Sequence, residues 1–351
     1  MKRAFFAVAM VAHLGQAGAV YAGDFTLRIG AGHPRSLTYV GVADDYFVPE
    51  VIRRAKDAGH NVRFVKAYAG TVAKLDGIVE AVQKGTLDIG LAAVSFDTER
   101  AALFNFSYNV PFTSPDQMLQ QRVANRMLKE VPALRASVEK YNIHVLNLSA
   151  YEDYGIITKV EVKNLKELKG KKLGVSTSNA TWIAAAAAAP ITIPVGEFYT
   201  SIQNGLVDGG VFFASGLDSF KLSEVGKYFL KTGRGAIIGT ATYMNLTTRD
   251  KLPTELVKII DEVAEEAGNK TSQTAKEREQ LAEGLAKSNG VLISVLDERD
   301  QKKWAEALKF APAEEAKRLD QKGLPGTEVF KSYIRILKEE GFEIPIQYEF
   351  Q

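Results

Sequence analysis

No cysteine occurs anywhere in the 351 residues, which removes disulfides, thiolate chemistry and cysteine-ligated metal at once. Histidine is nearly as scarce: beyond a leader described below there are only His33, His60 and His144. With no HExxH and no G-x-S-x-G, zinc-protease and α/β-hydrolase chemistry lack their usual parts. A charge excess of one sign is missing too. The 44 basic residues fall to 42 once Lys2 and Arg3 of the leader are set aside, against 42 acidic ones, so no global charge recommends nucleic acid or an anionic membrane as partner. Arginine is absent from Tyr151 to Phe220, an absence taken up below.

What is present begins with that leader. Lys2 and Arg3 precede an apolar run from Ala4 to Ala12, and Val20-Tyr21-Ala22 offers small residues at a cleavage site, so residues 1–22 read as a secretory signal and the mature chain as exported to the periplasm. The run is too short for a spanning helix. The remaining length suffices for two domains.

One phrase occurs twice. Gln83-Lys-Gly85-Thr-Leu87-Asp88-Ile-Gly90 and Gln203-Asn-Gly205-Leu-Val207-Asp208-Gly-Gly210 share Q-x-G-x-(L/V)-D-x-G at a separation of 120 residues. In each copy apolar residues recur at helical spacing, a glycine suited to a helix C-cap follows, and a short apolar run suited to a buried strand comes next. Two lobes of one design are the simplest cause. Around the first copy the order is strand (Phe25–Gly30), helix (Tyr39–Lys56), strand (Val62–Tyr68), helix, strand. Such alternation implies a parallel sheet with helices on both faces and ligand beyond the carboxyl ends of the strands, here 31–36, 69–71 and 93–97. In the second half Lys172–Val175 reads as a strand and the run Ala184–Ala189 as a close-packing helix stopped by Pro190. The segment 236–246 returns as a strand, and Leu252-Pro-Thr-Glu255 opens a helix running toward Gly290, long enough to brace both lobes.

The phrases LKELKGKKLGVSTS, VGEFYTSIQNGLVDG and MNLTTRDKLPTEL, with GTLDIG at 85–90, resemble the periplasmic substrate-binding proteins of TRAP transporters, the DctP-like family. The resemblance implies an α/β, two-lobed periplasmic-binding-protein fold with crossing strands, a ligand in the interlobe cleft and closure in the manner of a Venus flytrap. It implies a monomer without cofactor or metal, partnered by a sodium-coupled TRAP permease. The expected lobes are 23–149 with about 238–285, and 150–237 with about 286–351.

Departures from the family bear on the ligand. An arginine that forks onto a carboxylate usually stands where this chain has Gly174, and a second where it has Tyr154. Where the family reads D-G-Q-E-N-P, this chain reads Asp208-Gly-Gly-Val-Phe212-Phe213, while the family's asparagine is retained as Asn245. Two substitutes for the missing cation are visible: the helix start Ser176, Thr177, Ser178 and Asn179, and the first-lobe cations Arg100 and Lys66. Trp182, Phe96, Phe212 and Phe213 are candidate aromatic walls, and His33, Thr71 and Ser95 candidate polar contacts. The expected function is capture of a small organic solute, an organic acid and possibly an aromatic one, for a TRAP permease, with C4-dicarboxylates fitting poorly. Service to an ABC permease or a sensor kinase is the alternative, and a periplasmic enzyme ranks below both.

Overall fold

The computed structural model describes residues 23–350, so the expected signal segment lies outside the described residues. Eleven strands are described: β1 (Asp24–Ala31), β2 (Asn61–Ala67), β3 (Ile89–Ala93), β4 (Ile143–Tyr151), β5 (Tyr154–Thr158), β6 (Lys172–Val175), β7 (Ala189–Thr192), β8 (Gly209–Phe213), β9 (Tyr228–Lys231), β10 (Ile237–Asn245) and β11 (Leu292–Val295). They form two sheets, β2-β1-β3-β10-β4 and β11-β9-β5-β8-β6-β7.

The duplicated phrase explains their likeness. β1 lies between β2 and β3 and parallel to both, and β6 lies between β7 and β8 in the same way. Gly85 and Gly205 both take positive φ (69° and 74°), a conformation that glycine adopts at little cost, and turn the chain out of a short helix. Each phrase's aspartate then clamps the middle strand of its parallel triplet, β1 or β6. Asp88 Oδ2 accepts from Arg28 N–H at 2.8 Å and Asp208 Oδ2 from Lys172 N–H at 2.8 Å, while their own N–H groups donate back to Arg28 and Lys172 carbonyls.

The chain passes between the sheets three times. β4 runs into β5 across Glu152–Asp153, β9 into β10 across Thr232–Ala236, and the 35-residue helix Thr254–Ser288 leads from β10 to β11. At 1.5 Å per residue that helix is about 50 Å long. Its first half buries Leu256, Ile260, Val263 and Ala264 in the core with Leu27 and Ile89, and its far end buries Ala286 among the apolar residues of the second sheet.

Two expectations need correction. The alanine run is not one helix: the helix stops at Ala185, Ala187 turns at φ 57°, and Ala189–Thr192 becomes edge strand β7, where Pro190 is tolerated. Hydrogen bonds from Gly170 N–H to Ala187 O and from Ala189 N–H to Lys171 O draw the segment into the sheet against its helix propensity. The C-terminal region holds a further helix, Ala311–Gln321. The last helix, Gly326–Glu339, packs not with the second sheet but on Gln117–Glu130 beside the first. There Tyr333 meets Phe106 at 4.9 Å between centroids and donates to Gln120 Oε1, and Arg126 and Arg335 pair with Glu130 and Glu339.

Candidate functional site

The two short crossovers place side chains between the sheets. Thr232–Ala236 is pinned from both sides: Thr232 Oγ1 donates to Tyr154 O at 2.8 Å, while Thr113 N–H donates to Arg234 O and Ala236 N–H to Ser114 O. Gly233 and Gly235, at φ 69° and 109°, let the strand turn inward on either side of Arg234. Arg234 is consequently 1% exposed, the most deeply buried cation of the site. Its Nη2 donates to Tyr108 O at 2.7 Å. Nε and Nη1 have no hydrogen-bond partner among the described residues.

Three rings surround the guanidinium carbon, Trp182 at 5.4 Å, Tyr108 at 5.8 Å and Tyr154 at 5.9 Å to their centroids. Attraction to ring faces offsets part of the cost of burying the charge. It does not satisfy the two N–H groups, each of which costs roughly 1–3 kcal/mol when left unmade. Trp182 stacks flat on Trp304 (4.5 Å, 5° between planes), accepts at its carbonyl from Trp304 Nε1, and keeps its own Nε1 unpartnered among the described residues. Tyr108 sits beside Tyr154 and Ser95, which joins the first sheet's loops to the second sheet. Phe112, whose ring abuts Trp304, holds φ 58°, a strained backbone for a bulky residue in the loop that carries Thr113.

The other crossover contributes two acids. Glu152 is buried and accepts from Ser215 N–H at 2.8 Å and from the Ser215 hydroxyl; burial pushes its carboxyl up to about 7. Asp153 next to it is pushed up to about 6, again chiefly by burial and against the pull of Arg234. Its Oδ1 is shut off from solvent, the Gly235 and Tyr154 N–H groups that face the carboxylate pull its pKa back down, and among the described residues no ion pair joins it to Arg234. Asp153, Tyr108, Tyr151 and Tyr154 lie deep in the molecule yet keep some accessible surface, as the walls of a cleft do. Gly239 forms a bare patch between the Tyr108 hydroxyl and the Tyr151 ring. Beyond it, His33 Nδ1 meets Tyr39 Oη at 2.7 Å and the ring stands edge-on to the exposed Phe96. Burial lowers the His33 pKa.

Of the candidates read from sequence, Tyr154, Trp182 and Ser95 are brought together here. Phe213 touches the group edge-on through Tyr154 at 6.1 Å, and His33 and Phe96 stand on the neighbouring wall. Most of the others are placed away from this group. A Cβ on Gly174 would lie 2.6 Å from Ile193 Cδ1, so this position faces the core behind the sheet. Phe212 is 2% exposed, with Phe198 and Phe220 packed edge-on against it. Asn245 caps the helix Leu246–Asp250 through Thr248 N–H and donates to Val82 O, at the far end of β10. Arg100 is taken up by Asp97 and Gln83, and Lys66 by Asp44. Thr71 is on an exposed loop. Ser176 bonds to Ser178 and Asn179, and the helix that follows has only six residues, too short for the anion site expected there; the side chain of Thr177 lies outside the described residues.

Sequence reasoning missed Arg234, Asp153, Glu152 and Tyr108. The bracket Gly233-Arg-Gly235 was the available signal. An open pocket of about 560 Å³ lies elsewhere, beside β1 and β2 among Phe25, Asp44 and Arg63. Among the described residues no cluster of three or more histidine or acidic side chains is arranged for a metal ion, and no helix is long and apolar enough to cross a membrane.

Comparison with known proteins follows this geometry. The family profile of the bacterial extracellular solute-binding proteins, family 7 (DctP), matches residues 57–318. The 2,3-diketo-L-gulonate-binding periplasmic protein of Escherichia coli is 24% identical over 245 residues, 68% of this chain and 72% of its own. A TRAP periplasmic solute binding protein from Desulfovibrio salexigens has the same fold, with a TM-score of 0.78 at 18% identity over 90% of this chain and 96% of the other. So does a TRAP solute binding protein from an unidentified marine microbe, specific for aromatic acid ligands and solved with metahydroxyphenylacetate, with a TM-score of 0.74 at 21% identity over 90% and 99%.

Proposed function

The chain belongs to the bacterial extracellular solute-binding proteins of family 7, and from that premise we propose that it captures a small organic acid between its two sheets and hands it to a sodium-coupled TRAP permease. The observation that carries this reading is Arg234. A buried guanidinium with two unpartnered nitrogens, walled by Tyr108, Tyr154 and Trp182, presents charged donors to which a carboxylate can bond, in low dielectric where the pairing is strong. The diketogulonate binder and the aromatic-acid binder give the reading its chemical range. Export through residues 1–22 and action as a monomer belong to the same proposal.

In this reading the lobes, 23–149 with about 238–285 and 150–237 with most of the remainder, rotate about Glu152–Asp153 and Thr232–Ala236 as solute enters. At a ligand concentration a hundred times Kd, binding stabilises the protein by about 2.7 kcal/mol. For a chain of this size that raises the melting temperature by roughly 4 °C. A thermal-shift screen of aromatic acids, amino acids, sugar acids and C4-dicarboxylates is expected to give such a rise with at least one acid. Small-angle scattering with that acid should show a smaller radius of gyration. Silence across all acids, or an unchanged radius with a confirmed ligand, would refute capture or closure respectively. Uptake into vesicles that hold the permease should require a sodium gradient.

A further inference from the structure

We propose that the C-terminal tail, residues 343–350, is a strap that sets the cleft cation, with Tyr348 as a positioning residue that acts through the loop 111–114 on Arg234 and the crossover Thr232–Ala236. The proposal rests on the solute-capture reading and adds to it a residue more than a hundred positions along the chain from Arg234.

After the helix Gly326–Glu339 the chain runs on without regular structure, yet Ile346 and Tyr348 are buried in the same core as Trp182 and Trp304. Chain ends stay in place only where something ties them down. Here the Tyr348 hydroxyl donates to Pro111 O, and Glu349 N–H donates to Lys309 O at 3.3 Å. Pro111 opens the loop that carries Arg234. Two residues on, Thr113 N–H donates to Arg234 O at 3.2 Å, and Ser114 O accepts from Ala236 N–H at 2.9 Å. Between Pro111 and Thr113, Phe112 holds φ 58°, which a bulky residue keeps only where its surroundings impose it. Tyr348 grips the carbonyl just ahead of it. A second C-terminal phenol reaches the same loop: Tyr333 donates to Gln120 Oε1, and Gln120 Nε2 donates to Thr113 Oγ1 at 3.0 Å. The charge of Arg234 acts on both phenols, so Tyr333 and Tyr348 complete the wall that Tyr108, Tyr154 and Trp182 begin around it. Shutting out water there strengthens every bond the guanidinium makes. Packing alone would ask only for the Tyr348 ring, since a phenylalanine fills the same space. The hydroxyl has its partner in the loop.

The test is amide hydrogen exchange of the purified protein and of Tyr348→Phe, which keeps the ring and removes only the hydroxyl. Loss of one buried hydrogen bond corresponds to a factor of about 3 to 10. The Thr113 and Ala236 amides should exchange faster by about that factor, while amides of β1 and β3 keep their rates. A merely structural role would instead quicken all core amides alike, through global unfolding. A chain ending at Pro345 should show the same pattern more strongly; if it does not fold, as judged by its melting curve, Tyr348→Phe decides alone. Unchanged rates at Thr113 and Ala236, or a rise shared equally by β1 and β3, overturns the proposal. Calorimetry with benzoate, mandelate, pyroglutamate and succinate is the second arm. Whichever of these binds the unaltered protein should bind Tyr348→Phe about 3- to 10-fold more weakly, and unchanged affinity also overturns the proposal. Silence from all four probes would count against the solute-capture reading and not against the strap, which the exchange rates decide.

Discussion

Replacing Glu152 with Gln should flatten the pH dependence of stability between pH 4.5 and 8. The Glu152 carboxyl is lifted from its ordinary 4.5 to about 7 by burial, with Glu279 and Glu283 adding to the effect and the Ser215 N–H and hydroxyl opposing it. Because the folded pKa is the higher one, the folded state keeps this proton while the unfolded chain releases it. The stability Glu152 contributes is therefore fully present below pH 4.5 and is lost as pH rises toward 7, an effect of about 3 kcal/mol. Glutamine does not titrate, and its amide can accept from Ser215 N–H through oxygen while donating to Ser215 Oγ through nitrogen. Less-than-ideal replacement bonds would return about 1 kcal/mol of that gain. At pH 8 the variant should thus be more stable by about 2–3 kcal/mol, and at pH 4.5 equal or slightly less stable. With an unfolding entropy near 2.1 cal/mol/K per residue, this is a rise of roughly 3–4 °C in Tm at pH 8. Denaturant unfolding across pH 4–8 is the assay. Asp153 and Glu279 titrate in both proteins, so the difference between the curves isolates Glu152. Parallel curves, or a variant less stable at pH 8, would refute the reasoning.

Phe212→Ala should cost about 3–5 kcal/mol of stability by emptying core volume, with the Kd of the solute changed only a few-fold, as denaturation and calorimetry on one preparation would show. Gly174→Arg should destabilise the second sheet against Ile193 and Phe198 and bring no affinity for succinate. Asp88→Ala should lower stability more than Asp208→Ala in urea titrations. Both remove the strand clamp, but Asp88 also takes a fork from Arg28 and a hydroxyl from Thr248.

The lobes were legible because their signal is local. A glycine that must turn with positive φ and an aspartate that must reach the neighbouring strand's N–H leave the same mark twice, at Gly85 and Asp88 and again at Gly205 and Asp208. The alanine run was illegible for the opposite reason, since its fate is set by backbone bonds to Gly170 and Lys171 that no propensity records. Tyr154 and Trp182, singled out from sequence, do stand together beside Arg234. Gly174 and Phe212 do not. β6 and β8 are buried on both faces, so alternation along them carries no polar-to-apolar contrast, and which face meets the cleft is decided by packing against Ile193, Phe198 and Phe220.

Arg234 leaves no mark on any strand, because it stands on the crossover Thr232–Ala236, where only the bracket Gly233-Arg-Gly235 signals it. That placement has a mechanical consequence. A cation on β6 would belong to one sheet and could hold a solute whether or not the sheets approached. Arg234 is bonded to Tyr108 and Thr113 on the first sheet's side and its segment to Tyr154 on the second, so its position is defined only when both sides are in place. Under the proposed function, a solute bonded to Arg234 would hold this crossover against both sheets at once, and would favour the closed arrangement without a relay through them.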